Sequence, residues 1–329
     1  MLTPHRILHV ILLALIMARS SFAGAGPSKP AEIPKDKGYY VGDLGHGLYW
    51  VTDGFYTSMF ATTGKGVIVV DAPPALGKHL LDAIQSVTRE PVTHLVYSHS
   101  HADHIGAAGL FPRGVQVIAH DDTRARLART SAKDRPYPYG VFVGGAAVPL
   151  PTITFARDYT LTVGEQVLKL RYDGDDHEPG NLYIYAPRQK VLMKVDIVFP
   201  GWSPFEYLAI AEDTFGYLGA MDKILGYDFT SLVSGHWDRL ATRADVELQK
   251  AYLGAVTDNA AAALKSVDFT AIAGKVGTAD FGALFQAYLG AVVDRCVALT
   301  VPAWKDKLGG VASLTATHCH QLVMALRVD

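Results

Sequence analysis

The sequence predicts an α/β fold with an all-helical C-terminal extension. Three observations carry that reading. Short β-branched and apolar runs alternate with turn residues and helical stretches through the first two thirds of the chain. Histidine and aspartate fall just beyond several of those runs, where open α/β sheets place their sites. Beyond Thr242 the β character stops and helical spacing rich in Ala and Leu takes over.

The elements follow in order. Residues 47–53 and 56–62 read as strands, and Thr63-Gly64-Lys65-Gly66 supplies a tight turn to the next. That strand, Val67-Ile68-Val69-Val70-Asp71, is apolar throughout, as expected when both faces are buried. Leu80, Leu81, Ile84 and Val87 give 78–87 a helical stripe. Residues 92–98 are a strand, 115–119 another, and Asp121 caps a helix to about residue 132. The stretch 133–157 is long, aperiodic and aromatic, with Tyr137, Tyr139 and Phe142, which favours a loop packed on the core or lining a pocket. Hairpins are predicted at 159–172 about Gly164-Glu165 and at 181–195 about 187–190. A helix over 214–225 and a strand over 231–234 complete this part, and helices over 242–267, 281–299 and 314–328 form the tail.

Composition bounds the rest. A hydrophobic share of 49% and a charged share of 19% in 329 residues describe a globular protein with a sizeable core. The net charge of -2 gives no footprint for nucleic acid, and no polybasic run marks a membrane surface. Residues 1–23 resemble a secretory signal peptide: a weakly basic start, an apolar run too short for a comfortable span, and Ser21-Phe22-Ala23 as a cleavage site. Export to the periplasm or medium follows, with no stable membrane insertion after cleavage. Residues 24–38, with Pro27, Pro30 and Pro34, read as a disordered leader, 39–240 as the catalytic domain and 241–329 as the helical extension. An oxidising compartment lets Cys296 and Cys319 pair, although sequence leaves their separation open. His318-Cys319-His320 is a weak metal signal, since a helix points the three in different directions.

The functional signal is His99-Ser100-His101-Ala102-Asp103-His104. Three imidazoles and a carboxylate in six residues are good ligands for zinc and other first-row divalent metals. One loop cannot wrap all four around a single tetrahedral ion, but it can give two to one metal and two to its neighbour. Later loops supply more donors: His177 between two predicted strands, Asp196 at the end of a third, and His236 after a fourth.

This arrangement resembles the metallo-β-lactamase superfamily over roughly Gly42 to Asp238, through His99-x-His101-x-Asp103-His104 followed in order by His177, Asp196 and His236. The resemblance implies an αββα sandwich with a dinuclear centre at one edge. It places His99, His101 and His177 on a first metal, Asp103, His104 and His236 on a second, and Asp196 between them. Two Zn2+ are the expected cofactors, with iron an alternative. A shared hydroxide would attack the substrate, which makes Asp103 and Asp196 the carboxylates of the reaction. Asp71 could accept a proton from a ligand imidazole, and Trp202, Phe205, Tyr207 and Trp237 could wall the substrate. The chain departs from the family pattern at Ile105-Gly106-Ala107, at Glu178 where Thr is frequent, and at Lys194-Val195 where Gly is usual.

The true β-lactamases of this superfamily typically carry Cys or Ser where this chain has Asp196. The carboxylate looks more like lactonases, thioester hydrolases and phosphodiesterases. A dinuclear zinc hydrolase acting on a small ester, lactone or amide is therefore expected. β-Lactamase activity, an iron-dependent sulfur dioxygenase and a non-catalytic binding protein are the alternatives. The partner is a small-molecule substrate, and the tail leaves a homo-oligomer open. No specificity code is readable.

Overall fold

A computed structural model describes residues 28–130, 136–144 and 147–328. The expected signal peptide lies outside the described residues. Two sheets face each other. The first runs in the order β1 (Tyr40–Gly45), β2 (Leu48–Thr52), β3 (Thr57–Thr62), β4 (Val67–Val70), β5 (Val92–Val96), β6 (Gln116–His120) and β7 (Ile153–Phe155). β1 to β4 pair antiparallel, and β4 to β7 pair parallel. The second runs β12 (Ser231–Val233), β11 (Val191–Met193), β10 (Tyr183–Ala186), β9 (Gln166–Arg171) and β8 (Asp158–Val163), with only β11 and β12 parallel.

Side-chain alternation builds the layers. On β4, Ile68 and Val70 point into the interface between the sheets with Val96, Ile118, Leu168, Leu170, Ile184 and Met193. Val67 and Val69 point outward beneath α1 (Lys78–Val87), meeting Leu80, Ala83 and Ile84. The continuous apolar run is thus a strand covered on both faces. Each fully buried Leu or Ile there contributes about 1.5–3 kcal/mol. On the far side, Tyr183 and Leu232 pack under α5 (Thr214–Leu225), α6 (Arg243–Ser266), α8 (Phe281–Trp304) and α9 (Val311–Val328). The order of layers is helix, sheet, sheet, helix, an αββα sandwich with added C-terminal helices. The ten-residue helix α3 (Asp121–Thr130) and the short turns α2 (Ala102–Ile105) and α4 (Glu206–Ile210) lie among these, and α7 (Phe269–Val276) joins α6 to α8.

Several expectations change. Residues 28–38 are not a free leader: Ala31 N donates to Asp238 O at 2.6 Å and Ser28 Oγ to Leu240 O, which ties the segment to the chain beyond β12. β1 and α7 carried too weak a pattern to foresee, the first interrupted by Gly42 and the second with no buried residue. The described parts of 133–157 hold an edge strand, β7, and a packed Tyr139 whose hydroxyl donates to Ser100 O. The pairing of Cys296 and Cys319 that the sequence allowed is made, as a disulfide between α8 and α9.

Candidate metal centre

The predicted donors emerge from four places along one edge of the sandwich. His99 and His101 follow β5, with Asp103 and His104 on α2. His177 lies between β9 and β10, Asp196 follows β11, and His236 follows β12. Local sequence makes the approach possible. Asp196 takes a left-handed backbone (φ 62), a conformation Asp tolerates better than most residues. At Gly235 (φ +88) a Cβ would lie 2.6 Å from Val195 and 3.1 Å from His104, so only glycine lets this loop close on α2.

All seven side chains converge. Asp196 Oδ2 lies 3.4 Å from His99 Nε2, 3.1 Å from His104 Nε2 and 3.2 Å from His177 Nε2, while Oδ1 is 3.0 Å from His236 Nε2. His101 Nδ1 is 2.9 Å from His177 Nε2. Two groups result, each with donor atoms within 4.8 Å of one another: His99, His101, His177 and Asp196, and then Asp103, His104 and His236. Asp196 spans them through its two oxygens.

The donor chemistry fits divalent metal. His99 Nε2, His104 Nε2 and Asp196 Oδ1 are buried without a hydrogen-bond partner among the described residues, yet they face one another. Leaving such atoms unpaired is costly unless a cation satisfies them. Burial pushes the His99 pKa well down, and burial with neighbouring His177 lowers that of His101. Burial also opposes charge on His104, but Asp196 and Asp103 outweigh it and raise its pKa to about 10. Burial would raise the Asp196 pKa, yet surrounding imidazoles hold it well below the carboxylate range. A carboxylate kept ionised among imidazoles is an environment organised around positive charge.

The supporting contacts differ from expectation in one respect. Asp71 Oδ1 accepts Ser98 N at 2.7 Å, and its Oδ2 has no partner among the described residues. Ser98 Oγ, not Asp71, contacts His99 Nδ1, at 2.9 Å. Burial raises the Asp71 pKa to about 6. Asp71 thus meets the His99 loop through Ser98 and lies close enough to His104 for their charges to act on each other.

Sequence reasoning missed four contributors. Buried Glu178 sits 3.2 Å from His101 Nε2, accepts Ser100 N at 2.5 Å, and is held by Arg126 at 3.2 Å. With Nε2 so engaged, His101 presents Nδ1 to the site. Arg126 in turn pairs with Glu212. Buried Lys194 meets Asp176 at 2.7 Å and Asn181 O at 2.9 Å, tying the His177 loop to the strand that carries Asp196. Tyr56 OH lies 3.4 Å from Asp103 Oδ2, and burial raises its pKa, so it stays a neutral donor. Phe55 stands 5.3 Å from the His236 ring. Glu178 and Lys194 were visible only as departures from a pattern, Tyr56 only as the first residue of an expected strand, and Phe55 gave no signal.

Phe205, Trp237 and Trp202 extend the Phe55 surface. Phe205 is 5.1 Å from His236 and 5.9 Å from Phe55, Trp237 is 5.1 Å from Phe55, and Trp202 stacks on Trp237 at 4.7 Å. Tyr207 lies outside this group, with its ring 5.9 Å from His320. It begins a turn in which Tyr207, Leu208, Ala209 and Ile210 all have φ between 51 and 56. A left-handed turn of non-glycine residues costs roughly 1–2 kcal/mol per residue, so packing must hold it.

Residues 51–251 match the family model described as the metallo-beta-lactamase superfamily. The chain is 28% identical over 221 residues to 2,4-dinitroanisole O-demethylase subunit alpha of Nocardioides sp. (strain JS1661), covering 64% of this chain and 63% of that protein. It is 28% identical over 133 residues to metallo-beta-lactamase type 2 of Bacillus sp. (strain 170), covering 40% of this chain and 46% of that one. It thus spans less than two thirds of each of these relatives. Among solved structures, the sec-alkylsulfatase Pisa1 from Pseudomonas sp. superposes with a TM-score of 0.59 at 16% identity, over 87% of this chain and 50% of that one. A metallo-beta-lactamase from Pontibacter korlensis gives 0.53 at 21% identity, over 65% and 97%.

Proposed function

The chain belongs to the metallo-β-lactamase superfamily, and from that premise we propose that it is an exported dinuclear zinc hydrolase of small esters, lactones or amides. The observation that carries the reading is Asp196, whose two oxygens reach imidazoles of both donor groups. His99, His101 and His177 would hold one ion and Asp103, His104 and His236 the other, with Asp196 shared. When bound, such ions supply Lewis acidity and a water-derived nucleophile near neutral pH. The side chains do the rest. Asp196 separates the two donor groups and keeps its negative charge among them. Glu178 fixes the His101 ring, and Ser98 fixes that of His99. Tyr56 holds its proton beside Asp103. Phe55, Phe205 and Trp237 exclude water on the His236 side and offer an apolar surface. Export is supported by the N-terminal pattern and by the Cys296–Cys319 bridge. Self-association through the tail is supported by exposed Phe269, Val276 and Phe281.

A second reading keeps the same centre and changes the bond broken. Hydrolysis of an electron-poor aryl ether is favoured by the dinitroanisole demethylase relative together with the aromatic surface beside His236. One panel on zinc-loaded mature protein separates the two: a 4-nitrophenyl ester, a γ-lactone, a chromogenic β-lactam and 2,4-dinitroanisole. Metal-dependent turnover of the ester or lactone supports the first reading, and release of dinitrophenolate alone supports the second. No turnover of any of them by protein carrying two metals overturns both.

A further inference from the structure

We infer that His318, in the C-terminal helix α9, is a positioning residue of the site: it fixes the Phe205 segment that receives the apolar part of the substrate. This rests on the hydrolase reading above for what the wall receives, but not for how the wall is held.

His318 is fully buried and far from the metal donors in sequence. Its Nε2 lies 2.9 Å from Pro204 O and 3.0 Å from Phe205 O. Two carbonyls can only accept, so Nε2 carries the proton. Nδ1 is then an acceptor, and Tyr252 OH on α6 donates to it at 2.8 Å. The tautomer is therefore set by two separate elements. Burial holds the ring neutral, so the bond to the wall persists at neutral pH.

What His318 grips is the segment least able to hold itself. One residue beyond Phe205 begins the left-handed turn of Tyr207 to Ile210. Nothing in its own sequence favours that conformation, since it has no glycine. The neighbouring contacts also come from α9: Tyr207 N donates to Thr317 Oγ1 at 3.0 Å, and Gln321 Nε2 donates to Thr214 Oγ1 at 2.9 Å. Cys319, beside His318, is bonded to α8. Phe205 sits 5.1 Å from His236, so a shift of its backbone moves the surface next to the reacting centre. The helical tail thus takes part in substrate selection, and the class selected carries an apolar acyl or aryl group.

The test compares full-length zinc-loaded wild type with His318→Ala, His318→Gln and Val292→Ala, the last a buried residue of α8, which packs on α6, α7 and α9. Two 4-nitrophenyl esters, acetate and octanoate, are assayed, and free octanoate is titrated by tryptophan fluorescence. His318→Ala is expected to raise the octanoate-ester KM about tenfold with kcat within about twofold, which is the pattern of lost binding. The acetate-ester KM stays unchanged and free octanoate binds about tenfold more weakly. His318→Gln, whose amide can still donate to both carbonyls, restores binding to within about threefold. Val292→Ala matches wild type in both assays despite its stability loss. Equal shifts for acetate and octanoate, or His318→Ala behaving as Val292→Ala does, would overturn the inference. Should His318→Ala not fold, His318→Leu, which fills the ring's place without a donor, carries the same comparison: an unaltered octanoate affinity there overturns it. If wild type hydrolyses neither ester, the hydrolase reading fails, while the octanoate titration still decides the role of His318.

Discussion

At the scale of single residues the site turns on Asp196. Its Oδ2 reaches imidazoles of both donor groups and its Oδ1 reaches His236, and its left-handed backbone is held by the strand before it and the His236 loop beside it. Replacing it by Ala removes the shared donor and leaves buried imidazoles facing one another. Metal content of Asp196→Ala, measured by elemental analysis after dialysis, is expected to fall below two ions per chain, with activity lost. Two retained ions and full activity would refute the shared role. The hexapeptide from His99 to His104 announced four donors because their chemistry is written in adjacent letters. His177, Asp196 and His236 could be read because each follows or precedes a recognisable strand. Glu178, Tyr56 and Phe55 could not, since their roles exist only through contacts across the two sheets. Asp71 was legible only in part: the sequence places it near the site but does not show that its Oδ1 takes Ser98 N.

At the scale of elements, the strands and helices with strong periodicity coincide with prediction, α1 and α5 to the residue. What periodicity cannot supply is the coupling between loops that carry donors. Lys194 provides one such coupling. It is fully buried, bonds Asp176 and Asn181, and lies 4.1 Å above the Tyr183 ring, so β11, β10 and the His177 loop share one polar knot. Burial lowers the Lys194 pKa, and Asp176 opposes that shift. Lys194→Met strands the Asp176 carboxylate in the interior, and breaking a buried pair from one side costs about 3–5 kcal/mol. Urea denaturation is expected to show a loss of that order. The double variant Lys194→Met, Asp176→Asn is expected to recover most of it, because the stranded charge is gone. If the single variant loses less than the double, the knot is not an ion pair that matters.

Across the whole molecule, the tail and the sandwich share one core, so stability and site are linked through the same helices. His318 makes the link titratable. In an unfolded chain a histidine binds its proton near pH 6.5. In the fold, burial holds its pKa down at about 4, against the opposing pull of the Phe205 and Pro204 carbonyls. Between those values the unfolded chain carries a proton that the folded chain refuses. Stability is therefore complete above pH 6.5 and declines as the pH falls toward 4, by about 1.4 kcal/mol per unit and about 3 kcal/mol in all. Other groups titrate in the same range, so the informative quantity is a difference. The urea midpoints of wild type and His318→Gln, each taken at pH 7 and pH 5, are expected to fall on acidification in both proteins but less in the variant, which has no imidazole to protonate. An equal fall in the two would mean that His318 does not couple the helical tail to proton uptake.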